Sequence, residues 1–522
     1  MSGIGARFIA DGYTVPKALI TVDGIPMIEH VINLYPGVKD IIFICNEGHI
    51  RNTNMVEELH RICPSGRVLS VEENLKRGPV GAILKCLDSI SDDKEIIVSY
   101  CDFSAEWDFN GFIEHARSQN LDGLIAAYTG FHPHMLGKDH YAYMTLDEND
   151  HYVKSIQEKT PTKENKLAET ASNGTYYFKS GKILKKYCKK LSIYGPAINE
   201  EWYVSLVYKY LILDKLRVGV FFIRKMLQWG TPYDLETYQN WSQYFKECEH
   251  FKNSSKLDDA TLILPMAGNG SRFSKEGYAI PKPILPINDE PMFVQAIKCL
   301  PICNNAVIVC LDSLLEQVDL NSYLKDFSSP FHIVSIPAIT DGQARTCDIG
   351  IKQSHLGKDD AILITACDNG VLYDPSAFDK LLKDENPDVV VWSFRNNPAS
   401  KTNPNMYSWL DVDQNNNVLL VSTKKFTGNN PLDCHAIIGT MYFKKLSYFQ
   451  DSFNENVKNN YLTNNEFYVD DIISRCIESG LKVKIFEVKN YICWGTPGDY
   501  ETYLYWQNYF HDNVNHPYIK PN

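Results

Sequence analysis

The sequence predicts two tandem α/β domains, each a mixed, mostly parallel sheet with helices on both faces. Three observations carry this expectation. The chain has 522 residues, more than one ordinary core organises, and halves of roughly 250 residues are a common domain size. One motif occurs twice at a fixed spacing. Gly3-Ile-Gly5-Ala-Arg7-Phe8 leads to Pro16-Lys17 and Pro26-Met27, and Gly268-Asn-Gly270-Ser-Arg272-Phe273 leads to Pro281-Lys282 and Pro291-Met292, every pair 265 residues apart. Such regularity marks a duplicated domain. Finally, short β-branched runs alternate with helix-length segments, the pattern of a sheet covered on both faces.

Each element has its own signal. In the first copy Ile42–Cys45 and Glu95–Ser99 read as buried strands, and Pro26 to Leu34 and Val80 to Ile90 as helices. In the second, Thr261–Pro265, Val307–Cys310, Ala361–Thr365 and Val389–Trp392 read as strands. Both copies close on Trp-Gly-Thr-Pro, at Trp229–Pro232 and Trp494–Pro497. There Thr231 and Thr496 are placed to cap a helix, with proline at its first position and Asp234 or Asp499 at its third. The aromatic residues behind them (Tyr238, Trp241, Phe245; Tyr503, Trp506, Phe510) are packing stripes. A polar linker is expected over Glu247 to Asp259, giving domains at 1–250 and 258–522. The second glycine loop follows a strand, whereas Met1 stands directly on the first. The comparison predicts that the first domain lacks its opening strand, about five residues, and that the biological start lies upstream.

Composition bounds the function. A hydrophobic share of 44% with 12% aromatics is that of a folded globular protein. A formal charge of −12 argues against a nucleic-acid partner, which needs a basic footprint. No apolar run reaches membrane-spanning length, and the glycine motif leaves no leader after Met1. Fourteen cysteines without a C-x-x-C pair suit free thiols in a reducing cytoplasm. The oligomeric state is not encoded in any of these features.

The glycine loops carry the chemistry. Gly268 and Gly270 permit positive φ and close backbone approach, so successive amides can face phosphate oxygens, and Gly3 and Gly5 stand at the matching places of the first copy. Arg7 and Arg272 add a planar fork suited to phosphate. The pattern lacks the third glycine of a dinucleotide fingerprint and the Gly-Lys-Ser/Thr of a Walker loop.

Gly-x-Gly-x-Arg-Phe followed by Pro-Lys resembles the nucleoside-triphosphate transferases that activate sugar phosphates and related small molecules. The resemblance covers nearly all of both halves. It implies a Rossmann-like fold, Mg²⁺, and a reaction joining a nucleoside triphosphate to a phosphorylated acceptor with release of pyrophosphate, for nucleotide-activated precursors such as those of surface polysaccharide. By this likeness the glycine loops, Arg7 and Arg272 hold the leaving phosphates, and Lys17 and Lys282 act at the α-phosphate. Gly78 and Gly81, with Gly342 and Gln343, recognise the nucleotide. Asp102 and Asp368, each ending a buried strand, hold the metal. Glu158, Lys159 and Gly174, with Lys424 and Gly439, receive the acceptor.

Departures from the family pattern are few but pointed. Gln228 and Cys493 stand where many members have a second metal aspartate, and Thr423 replaces the glutamate matching Glu158. Asp470 and Asp471 offer a replacement for the lost aspartate, but read first as a solvated helix start. His132, His134 and His140 read as loop residues near an anionic acceptor, since no carboxylate or cysteine cluster accompanies them. Two other readings stand beside the enzyme: a regulatory or scaffolding protein whose halves bind nucleotide without turnover, and a glycosyltransferase. The latter commonly uses Asp-x-Asp, which the Cys-Asp-Phe and Cys-Asp-Asn strand ends lack.

Overall fold

The computed structural model describes all residues except 74, 76, 150, 249–254, 326, 328, 514–515 and 519–522. The chain divides into two compact units, Met1–Gln239 and Asn240–Asn522. The central part of the expected linker, 249–254, lies outside the described residues.

Along the first unit run α1 (Ala6–Ala10), α2 (Met27–Asn33), β1 (Ile42–Asn46), β2 (Arg67–Val71), α3 (Gly78–Lys85), β3 (Ile96–Ser99), β4 (Gly123–Tyr128), β5 (Ala142–Leu146), β6 (Val153–Glu158), β7 (Thr170–Phe178), α4 (Val204–Leu213) and β8 (Val218–Phe222). The second unit repeats the plan with β9 (Lys256–Pro265), α5 (Ser271–Lys275), β10 (Ile302–Leu311), β11 (Phe331–Ile336), α6 (Gln343–Lys352), β12 (Ala361–Ile364), β13 (Val389–Phe394), β14 (Trp409–Val412), β15 (Val418–Ser422), β16 (His435–Phe443), α7 (Val469–Glu478), β17 (Val483–Glu487) and α8 (Pro497–Asp512).

The second unit holds one nine-stranded sheet in the order β11-β10-β9-β12-β16-β13-β17, with β14 attached to β16 and β15 to β14. From β11 to β12 every neighbour is parallel, and the antiparallel strand is β16. Side chains of β9 alternate between two cores: Leu262 and Leu264 join a cluster with Phe293 and Ile297, and Ile263 joins another with Cys347, Ile351 and Ile473. Both faces are therefore covered by helices. This is why β9, β10 and β12 read as unbroken apolar runs.

The first unit has the same order with one interruption. Its sheet runs β8-β4-β7-β5-β6 with β3 on β7, while β1 and β2 form a separate parallel pair. In the second unit β9 pairs with β10 on one side and β12 on the other; the corresponding strands β1 and β3 have no common neighbour.

The two glycines of each loop behave differently. Gly5 and Gly270 adopt φ of 73° and 57° as the caps of α1 and α5. Gly3 and Gly268 do not take positive φ, contrary to the expectation for Gly268; a side chain there would meet nothing within 4 Å. The loop backbone is thus open on the side away from the fold.

Candidate active site

In both halves a lysine meets the aspartate at a strand end. Lys17, in a 3₁₀ turn after Pro16, forms an ion pair with Asp102 and donates to the Gly230 carbonyl at 3.0 Å. Lys282 pairs in the same way with Asp368. Behind each lysine lies the buried phenylalanine of the motif, with the ammonium 5.3 Å from the Phe8 ring centre and 5.9 Å from that of Phe273. Burial pushes the Asp102 and Asp368 carboxyls up, but their lysines more than offset it and hold both below the ordinary aspartate value. Lys282, against the same burial, is raised by Asp368 to about 12. Asp102 and the Lys282–Asp368 pair are therefore charged at neutral pH. Arg7 and Arg272 remain exposed beside them.

The closing motif folds over this pair. The Trp229 amide donates to the Asp102 carbonyl at 3.1 Å, and the Trp494 amide to that of Asp368 at 2.8 Å. Asp234 and Asp499 each accept from the threonine three residues earlier at 2.6 Å, completing the expected cap. They are more than caps. Burial pushes Asp234 up to about 6, partly offset by Thr231, Arg7 and Lys17, and Asp102 acts on it through space. Asp499 is raised by burial in the same position. The capping pattern, which explained these residues, concealed their nearness to the charged pair.

The donors around Asp102 suit a hard cation. A Cβ built on Gly230 would lie 3.3 Å from the Asp102 carboxylate and 2.8 Å from the Gln228 amide, so both groups border one small space. No cluster of three potential metal ligands occurs among the described residues. Magnesium commonly needs only one or two carboxylates, completed by water and phosphates, and the residues present fit it. In the second half Cys493 stands beside Asp368, and burial pushes its thiol up. A neutral thiol is no magnesium ligand, which leaves Asp368 as the carboxylate beside Gly495 that could hold one.

Across the cleft the acceptor-side residues also pair. Gly174 and Gly439 take φ of 96° and 87° in the middle of β7 and β16, and β7 shifts register between Ser172 and Tyr176. Lys159 and Lys424, neither a glycine, both adopt left-handed backbone, with φ of 57° and 53°. The Lys159 ammonium donates to the Tyr203 hydroxyl at 2.5 Å and lies 4.3 Å from its ring centre. Lys424 lies 5.5 Å from the Tyr468 ring and donates to the Met406 carbonyl at 2.8 Å. Glu158 is buried and accepts from Ser205 at 2.5 Å; burial pushes its carboxyl up.

The first cleft, about 1500 Å³, is lined by Gly3, Gly5, Arg7, Lys17, Gly78, Asp102, Glu158, Lys159 and Gly174 among others. The second, about 490 Å³, gathers Arg272, Lys282, Gln343, Asp368, Lys424 and Gly439. Gly81 does not line the first cleft. It is buried within α3, where a Cβ would come 2.6 Å from that of Arg77. Gly342, at φ 137°, lies against the Phe467 backbone; a Cβ there would come within 2.4 Å of its amide nitrogen. Gly268, Gly270 and Gly342 likewise lie outside the second cleft's lining.

Two expectations are corrected. Asp470 and Asp471 are not solvated: they are 8% and 2% exposed. Asp470 accepts from Ser408 at 2.5 Å and Asp471 from Thr423 at 2.6 Å, and Asp470 lines the second cleft. Nor do His132 and His134 reach the cleft. They pack against Tyr128 and each other, and burial lowers His132 to about 4 and holds His134 well below the ordinary histidine value. His140 alone of the three lines it.

The "Nucleotidyl transferase" family model matches residues 2–204. This stretch belongs to the nucleotidyl transferase family. A Sulfolobus acidocaldarius protein named as a mannose-1-phosphate guanyltransferase is 27% identical over 189 residues, 34% of this chain and 48% of that protein; the chain thus spans about half the length of this curated relative. Among solved structures, a nucleoside-diphosphate-sugar pyrophosphorylase from Vibrio cholerae is 18% identical with a TM-score of 0.39, covering 47% of this chain and 99% of its own. An inositol-1-phosphate CTP transferase from T. maritima is 14% identical with a TM-score of 0.37, covering 48% and 98%. The nucleotidyl transferase motifs in residues 2–204 recur in the second half at the spacing described above. No described helix is long and apolar enough to cross a membrane.

Proposed function

We propose that each half is a nucleotidyltransferase joining a nucleoside triphosphate to a phosphorylated small molecule. The observation that carries this is the twinned arginine, lysine–aspartate pair and left-handed lysine on opposite walls of a cleft, in both halves. An acceptor phosphate oxygen attacks the α-phosphorus in line, the bond to the β-phosphate oxygen breaks, and pyrophosphate leaves. The chain's part is positioning and charge neutralisation rather than covalent chemistry. Glycine-loop amides with Arg7 or Arg272 hold the leaving phosphates. Lys17 or Lys282 meets the charge growing at the α-phosphate. Lys159 or Lys424 fixes the acceptor phosphate. Magnesium on Asp102 or Asp368 and the phosphates would neutralise charge around the transferring group.

The halves read different acceptors. In the first the carboxylate of the acceptor wall comes from a strand, Glu158 on β6. In the second it comes from the first turn of a helix, Asp470 on α7. An acceptor hydroxyl or amine meets it from another direction in each case. Sugar or polyol phosphates and phosphorylated amino alcohols are the classes to try. The products would serve cytoplasmic synthesis of precursors, surface polysaccharide among them.

The test uses the full chain with Lys17→Ala or Lys282→Ala, each of the common triphosphates, Mg²⁺ and a panel of these acceptors, scoring pyrophosphate. Each variant is expected to lose one acceptor activity and keep the other. If the unsubstituted chain released no pyrophosphate across the panel, the regulatory reading would replace this one.

A further inference from the structure

A short segment recurs in both halves outside the motifs that mark the site. Glu201-Trp202-Tyr203 and Glu466-Phe467-Tyr468 lie 265 residues apart, directly ahead of α4 and α7. Each follows a two-residue turn whose central residues, Asn199 and Glu200 or Asn464 and Asn465, take φ between 51° and 65°. Glu201 bridges back to Ile198, and Glu466 to Thr463, in the antiparallel sense. This is the geometry of a tight type I′ hairpin, and it fixes the segment before its helix begins.

One side of the segment is tied to the nucleotide wall. The Trp202 amide donates to the Arg77 carbonyl at 3.1 Å, and the Trp202 carbonyl accepts from the Val80 amide at 3.1 Å. The Phe467 amide donates to the Asp341 carbonyl at 2.8 Å, and the Phe467 carbonyl accepts from the Ala344 amide at 3.0 Å. These bonds straddle Gly78 and Gly342. A Cβ on Gly78 would come 2.8 Å from that of Glu201, so glycine is what lets the two stretches of backbone lie this close.

The other side reaches the acceptor wall. The Tyr203 hydroxyl accepts from the Lys159 ammonium at 2.5 Å and donates to the Glu201 carboxylate. Burial and then Glu201 raise this hydroxyl above its ordinary value, so it keeps its proton and serves both partners. The bond takes one of the ammonium's three donors. In the second half burial and then Glu466, its hydrogen-bond partner, likewise raise Tyr468. There Lys424 lies 5.5 Å from the Tyr468 ring and donates to the Met406 carbonyl instead.

We propose that Tyr203 is a positioning residue for the acceptor lysine, carried on a strap that sets the spacing between the nucleotide and acceptor subsites. The assignment rests on the nucleotidyltransferase reading given above. Tyr203 holds the Lys159 ammonium towards the acceptor phosphate. Glu201 acts through Tyr203, by keeping the hydroxyl proton turned away from the lysine. In the second half the Met406 carbonyl has taken over that hold, and Tyr468 contributes its ring.

The experiment uses the full chain with Tyr203→Phe, Glu201→Gln and both together, scored on the acceptor activity that Lys17→Ala abolishes. Tyr203→Phe is expected to raise the KM for acceptor by about tenfold, as loss of a hydrogen bond to a charged group does. The KM for triphosphate and the unfolding temperature are expected to stay as they were. Glu201→Gln still accepts from the tyrosine and is expected to raise the acceptor KM by about threefold, with the double variant matching Tyr203→Phe. Tyr468→Phe is expected to raise the second half's acceptor KM by less than Tyr203→Phe raises the first's. Equal rises in both KM values, or additive effects in the double variant, would overturn the proposal. A second measurement needs no turnover. Labelling of Lys159 by an amine-reactive ester, read by mass spectrometry, is expected to run several-fold faster in Tyr203→Phe, with Lys17 labelled at the same rate as before. Unchanged labelling of Lys159 would overturn the proposal even in a chain that released no pyrophosphate. Faster labelling without any pyrophosphate would remove the functional reading and leave the hold on Lys159 standing.

Discussion

At the residue scale, the decisive contact is a lysine held by an aspartate just past the end of a strand. Lys17→Ala is expected to lower the turnover of the first half by roughly 10²–10³-fold, in line with loss of one donor to developing charge, and to leave the second half unchanged. Pyrophosphate release with half-specific acceptors measures both. Asp234 gives a pH-dependent expectation. Its folded value is about 6 against an ordinary 3.8, so the folded chain keeps a proton that the unfolded chain loses between those values. Its contribution therefore favours folding below about pH 4 and is lost as pH rises to about 6. Asp234→Asn keeps an acceptor for Thr231 and removes that loss. The variant is expected to be more stable by roughly 1–3 kcal/mol above pH 6 and equal below pH 4, measured by thermal unfolding across that range.

Elements place polar groups where local patterns do not reveal them. The start of α7 looked solvated because two adjacent aspartates suit an exposed first turn. Their burial depends on Ser408 and Thr423, 62 and 48 residues earlier in the chain, a distance no window spans. Asp470→Asn is expected to raise the second half's KM for acceptor by about tenfold with a smaller change in kcat, as removing a charged hydrogen-bond acceptor does; initial rates against acceptor concentration would show it. The loop before β5 is a parallel case. His132 and His134 read as loop residues near an anionic acceptor, but an aromatic cluster encloses them. His132, at about 4 when folded against an ordinary 6.5, takes up a proton on unfolding in that interval. Stability is expected to fall as pH drops from about 6.5 towards 4, and His132→Phe to flatten the fall in a urea titration by roughly 1–3 kcal/mol. By contrast the strands, the caps at Thr231 and Thr496, and the glycine loops were legible because their signals are local. The repeat made them more so, since each copy vouches for the other.

At the scale of the whole molecule the two halves share a plan and differ in continuity. The second has a single sheet with filled cores on both faces. The first has its β1–β2 pair set apart, and a two-stranded unit has little stability of its own. Unfolding in urea is expected to proceed in two steps, with 42–71 losing exchange protection at lower denaturant than β9, β10 and β12; exchange by mass spectrometry would resolve the order. That the first domain differs in this way was legible only by laying the copies side by side. What the interruption does to the sheet, leaving β3 half-buried where β12 is buried, needed the structure.

The left-handed lysines have a consequence of another kind. An L-residue with a side chain is strained at φ near +55°, and glycine at the same place relaxes that strain. Both halves nevertheless hold lysine there, at Lys159 and Lys424, so each tolerates a standing conformational tension that a simpler residue would release. Lys159→Gly and Lys424→Gly should then be variants that fold more firmly and bind acceptor more weakly. If the proposed acceptor roles hold, tension retained in both halves marks the ammonium as the fixed point of two differing acceptor walls.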